Sequence, residues 1–468
     1  MDNSESLEKL YAESLKNDNT FMIETTVVTG FEWEAYDECK EKFGKDMQAI
    51  KRRGRLYFNI DWDQFAKVQE MRSIDNIFII GDMITFDTFE NNKEADLQKI
   101  KDHVHKSVHL EKAMNAWKSA TNFLGKIYPT IEEHAAEKEK ALAIKVEELK
   151  ISKEKDPLDW DCSELETPKG KKRGQDPSES KEDDVLRYRV TCERSGKHAF
   201  ESKDVAMVIG GELQDKYHWM VDLSMYHLEV VCKLTDGELL MHLRVTHESK
   251  HCRNIVNFGP TTLRSTICYS MLRLANPKLG DIVVDPMCGS GSIPIEAALA
   301  FSHCYVLCGD NHPKAVEKTK SNMDVSTAGC KIDLVQWTAA TLPFKNSFID
   351  IIVTDMPFGK RSGNKTYNKI LYKKFLMELG RVVKITSGQL VLLTYDRTSF
   401  KEALQIVGKL FWVSKTVGVN VGGLHAVVYV MNRTNLLYER FKPSTAKQYN
   451  FPKKEKNSST KLGASNKT

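Results

Sequence analysis

From residue 282 onward, short apolar runs alternate with stretches of helical period, and this alternation constrains the fold more than any other feature of the chain. The apolar runs are Ile282–Asp285, Tyr305–Gly309, Ile332–Gln336, Ile349–Thr354, Gln389–Thr394, Phe411–Val417 and Ala426–Met431. Helices fit between most of them, at Ile293–Phe301, Lys314–Met323, Ile370–Val383 and Phe400–Val407. Strands joined by crossover helices run parallel and are covered on both faces, so the pattern predicts a doubly wound, Rossmann-like α/β sheet. The last two runs have no helix between them and read as a hairpin, which makes one strand antiparallel.

The first half of the chain has a different pattern. Residues 1–20 are polar and read as a loose tail. Strands at Glu24–Val28, Arg55–Ile60 and Asn76–Ile80 enclose helices at Phe31–Phe43 and Phe65–Arg72, an α+β pattern of ferredoxin-like type over residues 21–100. Ala95–Tyr128 has helical periodicity. Residues 132–184 are dominated by lysine and glutamate, interrupted by Pro157, Pro168, Gly170, Gly174 and Pro177, and read as a solvated or disordered insertion. Its basic cluster Gly170–Arg173 suits a solvated linker, with a nucleic-acid contact or a nuclear signal as alternatives. Arg187–Thr191 reads as a strand and Asp204–Trp219 as a helix with a potential break at Gly210-Gly211. Leu228–Leu234 and Glu238–Val245 around Asp236-Gly237 form the clearest hairpin. A basic stretch follows, then a helix over Thr262–Leu274 capped by threonine. Residues 441–468 read as a disordered tail.

With 468 residues there is room for two to four domains. A net charge of only +4 means that any nucleic-acid surface must be local. The ten cysteines show no C-x-x-C spacing, so reduced thiols are expected and no metal site. Cys304 and Cys308 share one face of a strand, as core residues do. The polar N-terminus lacks the features of a signal peptide, and no apolar stretch reaches the roughly 18–20 residues that a membrane helix needs. A soluble intracellular protein without membrane contact is expected, cytoplasmic, with the nucleus as a second location.

Three signals carry chemistry. Asp285-Pro286-Met287-Cys288-Gly289-Ser290-Gly291 follows the first strand and opens a helix, where glycines allow a tight turn and free N–H groups can meet an anion. Asp310, followed by Asn311, ends the second strand, where a carboxylate can accept both hydroxyls of a ribose. These two signals imply a ribose-containing cofactor without separating a dinucleotide from S-adenosylmethionine. The third does: Asp355-Met356-Pro357-Phe358-Gly359 at the end of the fourth strand resembles the [DNS]-P-P-[YFW] motif of amino-methyltransferases, its second position varied. Asp355 can accept one N–H of a nucleobase amine, a carbonyl of Met356 or Pro357 another, and Phe358 can stack on the extruded base. Lys360 and Arg361 follow at once and suit flanking phosphates.

With these residues in view, the sequence resembles the THUMP-domain tRNA guanine-N2-methyltransferases. The resemblance spans roughly residues 20–440 apart from the insertion, and its most specific stretches are Asn257–Thr266, Asp285–Gly291, Val353–Arg361 and Asn420–Leu424. It implies a ferredoxin-like domain, a THUMP domain near residues 101–258 that carries the insertion, and a class I methyltransferase domain over 259–440. It further implies S-adenosyl-L-methionine as cofactor, a THUMP domain that holds the CCA end of tRNA, and N2-methylguanosine at position six of the acceptor stem as product. Arg187, Arg189, Lys250 and Arg253 are basic residues suited to RNA by composition. A small zinc-containing activator protein is implied as heterodimer partner, on the edge strand Lys331–Trp337. One departure stands out: many relatives place an acidic residue for the adenine amine where this chain has Thr338. The alternatives are the same chemistry on another RNA such as a small nuclear RNA, and a non-catalytic RNA-binding protein.

Overall fold

The structure is a computed structural model that describes residues 3–154, 174–259, 262–326, 331–357, 365–441 and 443. It divides into two compact units. The first carries the described residues up to Ile255 with Leu263–Leu274 and Val419–Gly423, and the second carries the rest.

In the first unit the order is α1 (Asn3–Ser14), β1 (Thr20–Val27), α2 (Glu32–Phe43), β2 (Ala49–Arg52), β3 (Arg55–Asp61), α3 (Phe65–Glu70), β4 (Ile74–Thr85), α4 (Lys93–Lys106), α5 (His109–Thr121), α6 (Ile131–Glu154), β5 (Arg187–Ser195), α7 (Ser202–Tyr217), β6 (Met220–Val221), β7 (Leu228–Thr235) and β8 (Glu238–Arg244). Helix α8 (Ser265–Ala275) contributes its residues up to Leu274. All eight strands join one sheet in the order β2-β3-β1-β4-β8-β7-β5-β6. The first four follow ferredoxin-like order, and β4 pairs antiparallel with β8 from Phe78–Arg244 to Thr85–Glu238, so the two expected N-terminal domains share a sheet. Helix α7 continues through Gly210-Gly211, and the buried Tyr188 hydroxyl donates to the Gly210 carbonyl at 2.5 Å.

A buried charge network binds this sheet across its width. Glu24 on β1 is fully buried and meets Lys233, Arg55 (3.0 Å) and His242 (2.6 Å). The His242 contact is an ion-pair distance without hydrogen-bond geometry. Burial alone would push the Glu24 carboxyl up, but these cationic neighbours outweigh it and hold the group well below the usual carboxylate range.

Two expectations are corrected here. Residues 3–14 are a helix and not a tail: Leu7, Leu10 and Tyr11 lie on one helical face and are buried. Lys112 of α5 fixes the end of this helix by donating to the carbonyls of Ser14, Asn17 and Thr20 at 2.9, 2.7 and 2.8 Å. The charged insertion begins as helix α6. The Thr130 hydroxyl accepts from Glu133 N–H (3.2 Å) and the Glu133 carboxylate from Thr130 N–H (2.9 Å), a capping box that starts the helix. His134 and Glu137 tie its first turns to the His218 carbonyl and to Arg187. Beyond it, Gln175 N–H donates to the Tyr226 carbonyl at 2.7 Å, so residues from 174 onward belong to the fold. Gly170–Arg173 lies outside the described residues, as does most of the expected C-terminal tail.

The second unit runs β9 (Ile282–Asp285), α9 (Ser292–Ala300), β10 (Tyr305–Asp310), α10 (Pro313–Ser326), β11 (Ile332–Gln336), β12 (Ile351–Asp355), α11 (Lys365–Val382), β13 (Gln389–Thr394), α12 (Arg397–Val407), β14 (Phe411–Val421) and β15 (Leu424–Arg433), with the Val419–Gly423 turn grouped in the first unit. The sheet order is β11-β10-β9-β12-β13-β15-β14; β11 to β13 pair in parallel, and β15 pairs antiparallel with β13. The doubly wound expectation holds, hairpin included. Tyr372, Phe375, Leu376 and Leu379 of α11 pack with Phe400 and Leu404 of α12 against Ile352, Leu390 and Leu392. The chain leaves β9 towards β10 on one side, while β12 lies on the other. That reversal opens a crevice at the carboxyl ends of β9 and β12.

Replacing Lys112 by Met should leave the carbonyls of Ser14, Asn17 and Thr20, from the end of α1 to the start of β1, without their cation. Thermal unfolding should show a loss of about 1–3 kcal/mol, with proteolysis beginning in residues 3–20.

Candidate active site

The crevice is lined by carboxylates that the sheet buries. Asp285 ends β9 and Asp355 ends the neighbouring β12; Asp285 is 3% exposed. Asp285 Oδ1 accepts from the Thr354 hydroxyl (2.7 Å) and from Met287 N–H (3.2 Å). Burial, reinforced by the charge of Asp310, outweighs these bonds and pushes its pKa up to about 7. Asp355 is raised well above the ordinary value, first by burial and then by the charge of Asp285. Its Oδ1 is buried with no hydrogen-bond partner among the described residues.

The loop after β9 is held from several sides. Cys288 N–H donates to the Gly309 carbonyl (3.0 Å), and the buried Trp337 indole to the Pro286 carbonyl (3.1 Å). A side chain at Gly309 would meet the Val335 carbonyl at 2.1 Å and the Trp337 ring at 2.6 Å, so glycine is required for that indole to seat. Gly291 adopts φ +87°, and a Cβ there would meet Thr319 at 2.9 Å. Thr319 donates to the Gly289 carbonyl (3.0 Å) and Asn322 to the Ser290 carbonyl (2.8 Å). Thr262 does not cap a helix, which begins three residues later at Ser265; its hydroxyl accepts from Gly259 N–H (2.6 Å) and lies 2.9 Å from the Ser290 hydroxyl.

Asp310 ends β10 as expected; its Oδ2 accepts from Gly289 N–H (3.1 Å) and its Oδ1 from His312 N–H (3.0 Å). The Asn311 carbonyl accepts from Gln336 (3.3 Å). Thr338 is exposed, and its hydroxyl accepts from Ala340 N–H at 3.4 Å. The structure thus brings Asp285, the Pro286–Gly291 loop and Asp310 together, with Asp355 on the next strand. This donor set fits a cofactor with a ribose, an amino-acid moiety and a positive sulfonium: carboxylates stand at the ends of β9, β10 and β12, where they can meet hydroxyls, an ammonium and a sulfonium.

Pro357 carries an arrangement the sequence did not reveal. Its carbonyl accepts from the side chain of Asn368 (Nδ2, 3.1 Å) and from the Tyr372 hydroxyl (2.5 Å), both fully buried on α11. Tyr372 also lies 3.0 Å from the Thr394 hydroxyl. Thr354, Trp337, Asn368 and Tyr372 were all missed, because no local pattern marks them; only the Thr354 position beside Asp355 offered a hint. Phe358, Lys360 and Arg361 lie outside the described residues.

The other basic candidates have internal partners in the first unit. Arg187 meets Glu137 at 2.8 Å, and Arg189 meets Glu229 at 2.7 Å while stacking over Tyr226. Lys250 donates to the carbonyls of Gln69 and Met71, and Arg253 to those of Arg72 (2.6 Å) and Lys250 (3.1 Å). Burial, with Arg253 nearby, lowers the Lys250 pKa to about 8. These contacts give Lys250 and Arg253 a structural role that composition alone does not show.

Residues 253–426 match the family described as RMKL-like, methyltransferase domain. The tRNA (guanine(6)-N(2))-methyltransferase THUMP3 of Bos taurus is 38% identical over 453 residues, which is 88% of this chain and 88% of that protein. The chain belongs to this family. It is a methyltransferase that uses S-adenosylmethionine. The U6 snRNA (guanine-N(2))-methyltransferase THUMPD2 of Homo sapiens is 33% identical over 213 residues, covering 45% of this chain and 41% of its own length. Among solved structures, TrmN from Thermus thermophilus shares the fold at a TM-score of 0.64 and 19% identity, covering 88% of this chain and 99% of its own.

The raised pKa of Asp285 has a stability consequence with a definite sign. An acid whose folded pKa exceeds its unfolded value of about 4 favours the fold fully below that value, and the contribution is lost as pH rises through about 7. Asp285→Asn should therefore match or exceed the unaltered protein in thermal stability at pH 8, with the difference shrinking towards pH 5. A larger loss at pH 8 than at pH 5 would mean that the carboxylate is ionised and paired.

Proposed function

We propose that this chain transfers a methyl group from S-adenosylmethionine to the exocyclic N2 of a guanosine in tRNA, at position 6 of the acceptor stem. The observation that carries the chemistry is the buried, unpartnered Oδ1 of Asp355 at the end of β12, next to Met356-Pro357. The substrate rests on the likeness to the THUMP3 enzymes over 88% of both chains, against less than half for the U6 snRNA enzyme.

The amine of guanine is planar because its lone pair is delocalised into the ring, and catalysis must turn that pair towards the methyl donor. When bound, S-adenosylmethionine supplies an electrophilic methyl group on a sulfonium. Asp355 Oδ1 accepts one N–H of the amine. Pro357 already receives two hydrogen bonds at its carbonyl, which leaves the carbonyl of Met356 to accept the other N–H. Holding both hydrogens fixes the nitrogen in one orientation, and most of the rate gain comes from that positioning. The N–H of N2 becomes acidic as the nitrogen gains the methyl group, and its proton passes to Asp355, the acceptor already placed on it.

Phe358 stacks on the extruded base, and Lys360 and Arg361 hold adjacent phosphates. The first unit binds the CCA end. A small zinc-containing activator protein covers β11, an edge strand on which Val335 is 42% exposed and Leu334 half-buried. The enzyme acts in the cytoplasm, with the nucleus as a second location.

The test is transfer of labelled methyl groups to unmodified tRNA with the activator present, followed by nucleoside analysis; N2-methylguanosine at position 6 is expected. Asp355→Ala should lower turnover at least about 100-fold while tRNA and cofactor still bind by calorimetry. Retained turnover in that variant would remove Asp355 from the mechanism. Val335→Glu should abolish co-purification with the activator, and intact co-purification would move the partner to another surface.

A further inference from the structure

We propose that Asn368 is a specificity-determining residue that reads the N1–H of the target guanine, an inference that rests on the guanine-N2 reading above. The orientation of its amide follows from its neighbours. A carbonyl oxygen only accepts, so the group facing the Pro357 carbonyl at 3.1 Å is the NH2, and Oδ1 is turned away from it. That oxygen is buried in a residue with no exposed surface and has no hydrogen-bond partner among the described residues. Buried acceptors are almost always paired, so an orphan beside a catalytic motif points to a donor brought by a ligand.

Tyr372 strengthens the assignment. It lies one helical turn beyond Asn368 on α11 and donates to the same carbonyl, so the Pro357–Asn368 contact has a buttress that does not need the free end of the amide. If holding Pro357 were the whole task of Asn368, its acceptor would be desolvated to no purpose.

The count of groups fits guanine. Its Watson–Crick edge offers three adjacent donors, N1–H and the two hydrogens of N2. The reading above uses two acceptors, Asp355 Oδ1 and the Met356 carbonyl, and Asn368 Oδ1, on the amide tied to Pro357, supplies a third. Adenine has no N1–H, and its amine is at C6. A site that hydrogen-bonds a substrate donor rejects an analogue lacking it more strongly than shape alone does.

The analogue that isolates this contact is 2-aminopurine, which keeps the N2 amine and lacks the N1–H. The full chain is assayed on tRNA carrying guanosine or 2-aminopurine riboside at the target position, and the ratio of the two kcat/KM values is compared between variants. The unaltered protein should prefer guanosine. Asn368→Ala removes the bond to Pro357 as well as the acceptor, so kcat/KM should fall on both substrates, by about tenfold or more further for guanosine than for 2-aminopurine. Asn368→Asp keeps an acceptor and sets a carboxylate oxygen against the Pro357 carbonyl, so it should retain the preference while turnover on both substrates falls. Equal losses on both substrates in Asn368→Ala would show that the residue only holds Pro357, and would overturn the proposal. If the alanine variant does not fold, loss of the preference in Asn368→Asp overturns it instead. Absence of guanosine methylation by the unaltered protein would remove the functional reading itself, a result distinct from either.

Discussion

Two carboxylates at neighbouring strand ends, with no cation paired to them among the described residues, are the constraint on which the rest of the second unit depends. Asp285 and Asp355 end neighbouring parallel strands, and both are held above the ordinary carboxylate range, Asp285 by burial and the charge of Asp310, Asp355 by burial and the charge of Asp285. Two such groups persist there only because the sheet over-determines their place. Strands β9, β12 and β13 are almost entirely buried, so their registers are fixed by packing and not by the residues at their ends. The surroundings then add what little compensation they can. Thr354 and the Met287 amide donate to Asp285, while the loop between Pro286 and Gly291 is fixed by Trp337, Thr319 and Asn322.

The first unit treats buried acids in the opposite way. Glu24 is as deeply buried as Asp285, yet it has Lys233, Arg55 and His242 around it and is held low. Glu38 accepts from Arg72 N–H (2.8 Å), from Ser73 N–H (2.9 Å) and from the Ser73 hydroxyl. Glu24 has cations of the chain around it and Glu38 has three donors, and both tie strands and loops together. In the crevice, Asp355 has no such cation among the described residues, and a positively charged methyl donor and an amine would supply the partners it lacks.

The difference explains how much the sequence could show. The strands of the second unit were legible because a fully buried strand is apolar along its whole length, and β9 to β15 are bounded by turn residues. The motif residues were legible because their chemistry is local: an acid at a strand end, glycines in the turn after it. Helix α1 was hidden because Leu7, Leu10 and Tyr11 are few among charged neighbours, and their partners lie elsewhere in the chain. Helix α6 was hidden by its composition, although Thr130-x-x-Glu133 stood at its start as a readable cap. Lys250 and Arg253 looked like RNA ligands because a sequence shows charge and not the carbonyls that consume it.

Asn368 shows where sequence reasoning stops. Nothing ten residues past the motif distinguishes one polar helical residue from another, and its meaning comes only from a bond to Pro357. Thr338 makes the reverse point. It breaks the expected pattern of an acidic residue after the third strand, but it sits exposed, with a long contact to Ala340, and none of the buried carboxylates depends on it. A charged contact at the solvent-facing rim contributes little because water competes for it, whereas the groups that define the reaction are those from which the sheet has already taken the water away. The departure at Thr338 therefore leaves untouched the residues to which the proposed chemistry is assigned, Asp355, Met356 and the helix that fixes Pro357.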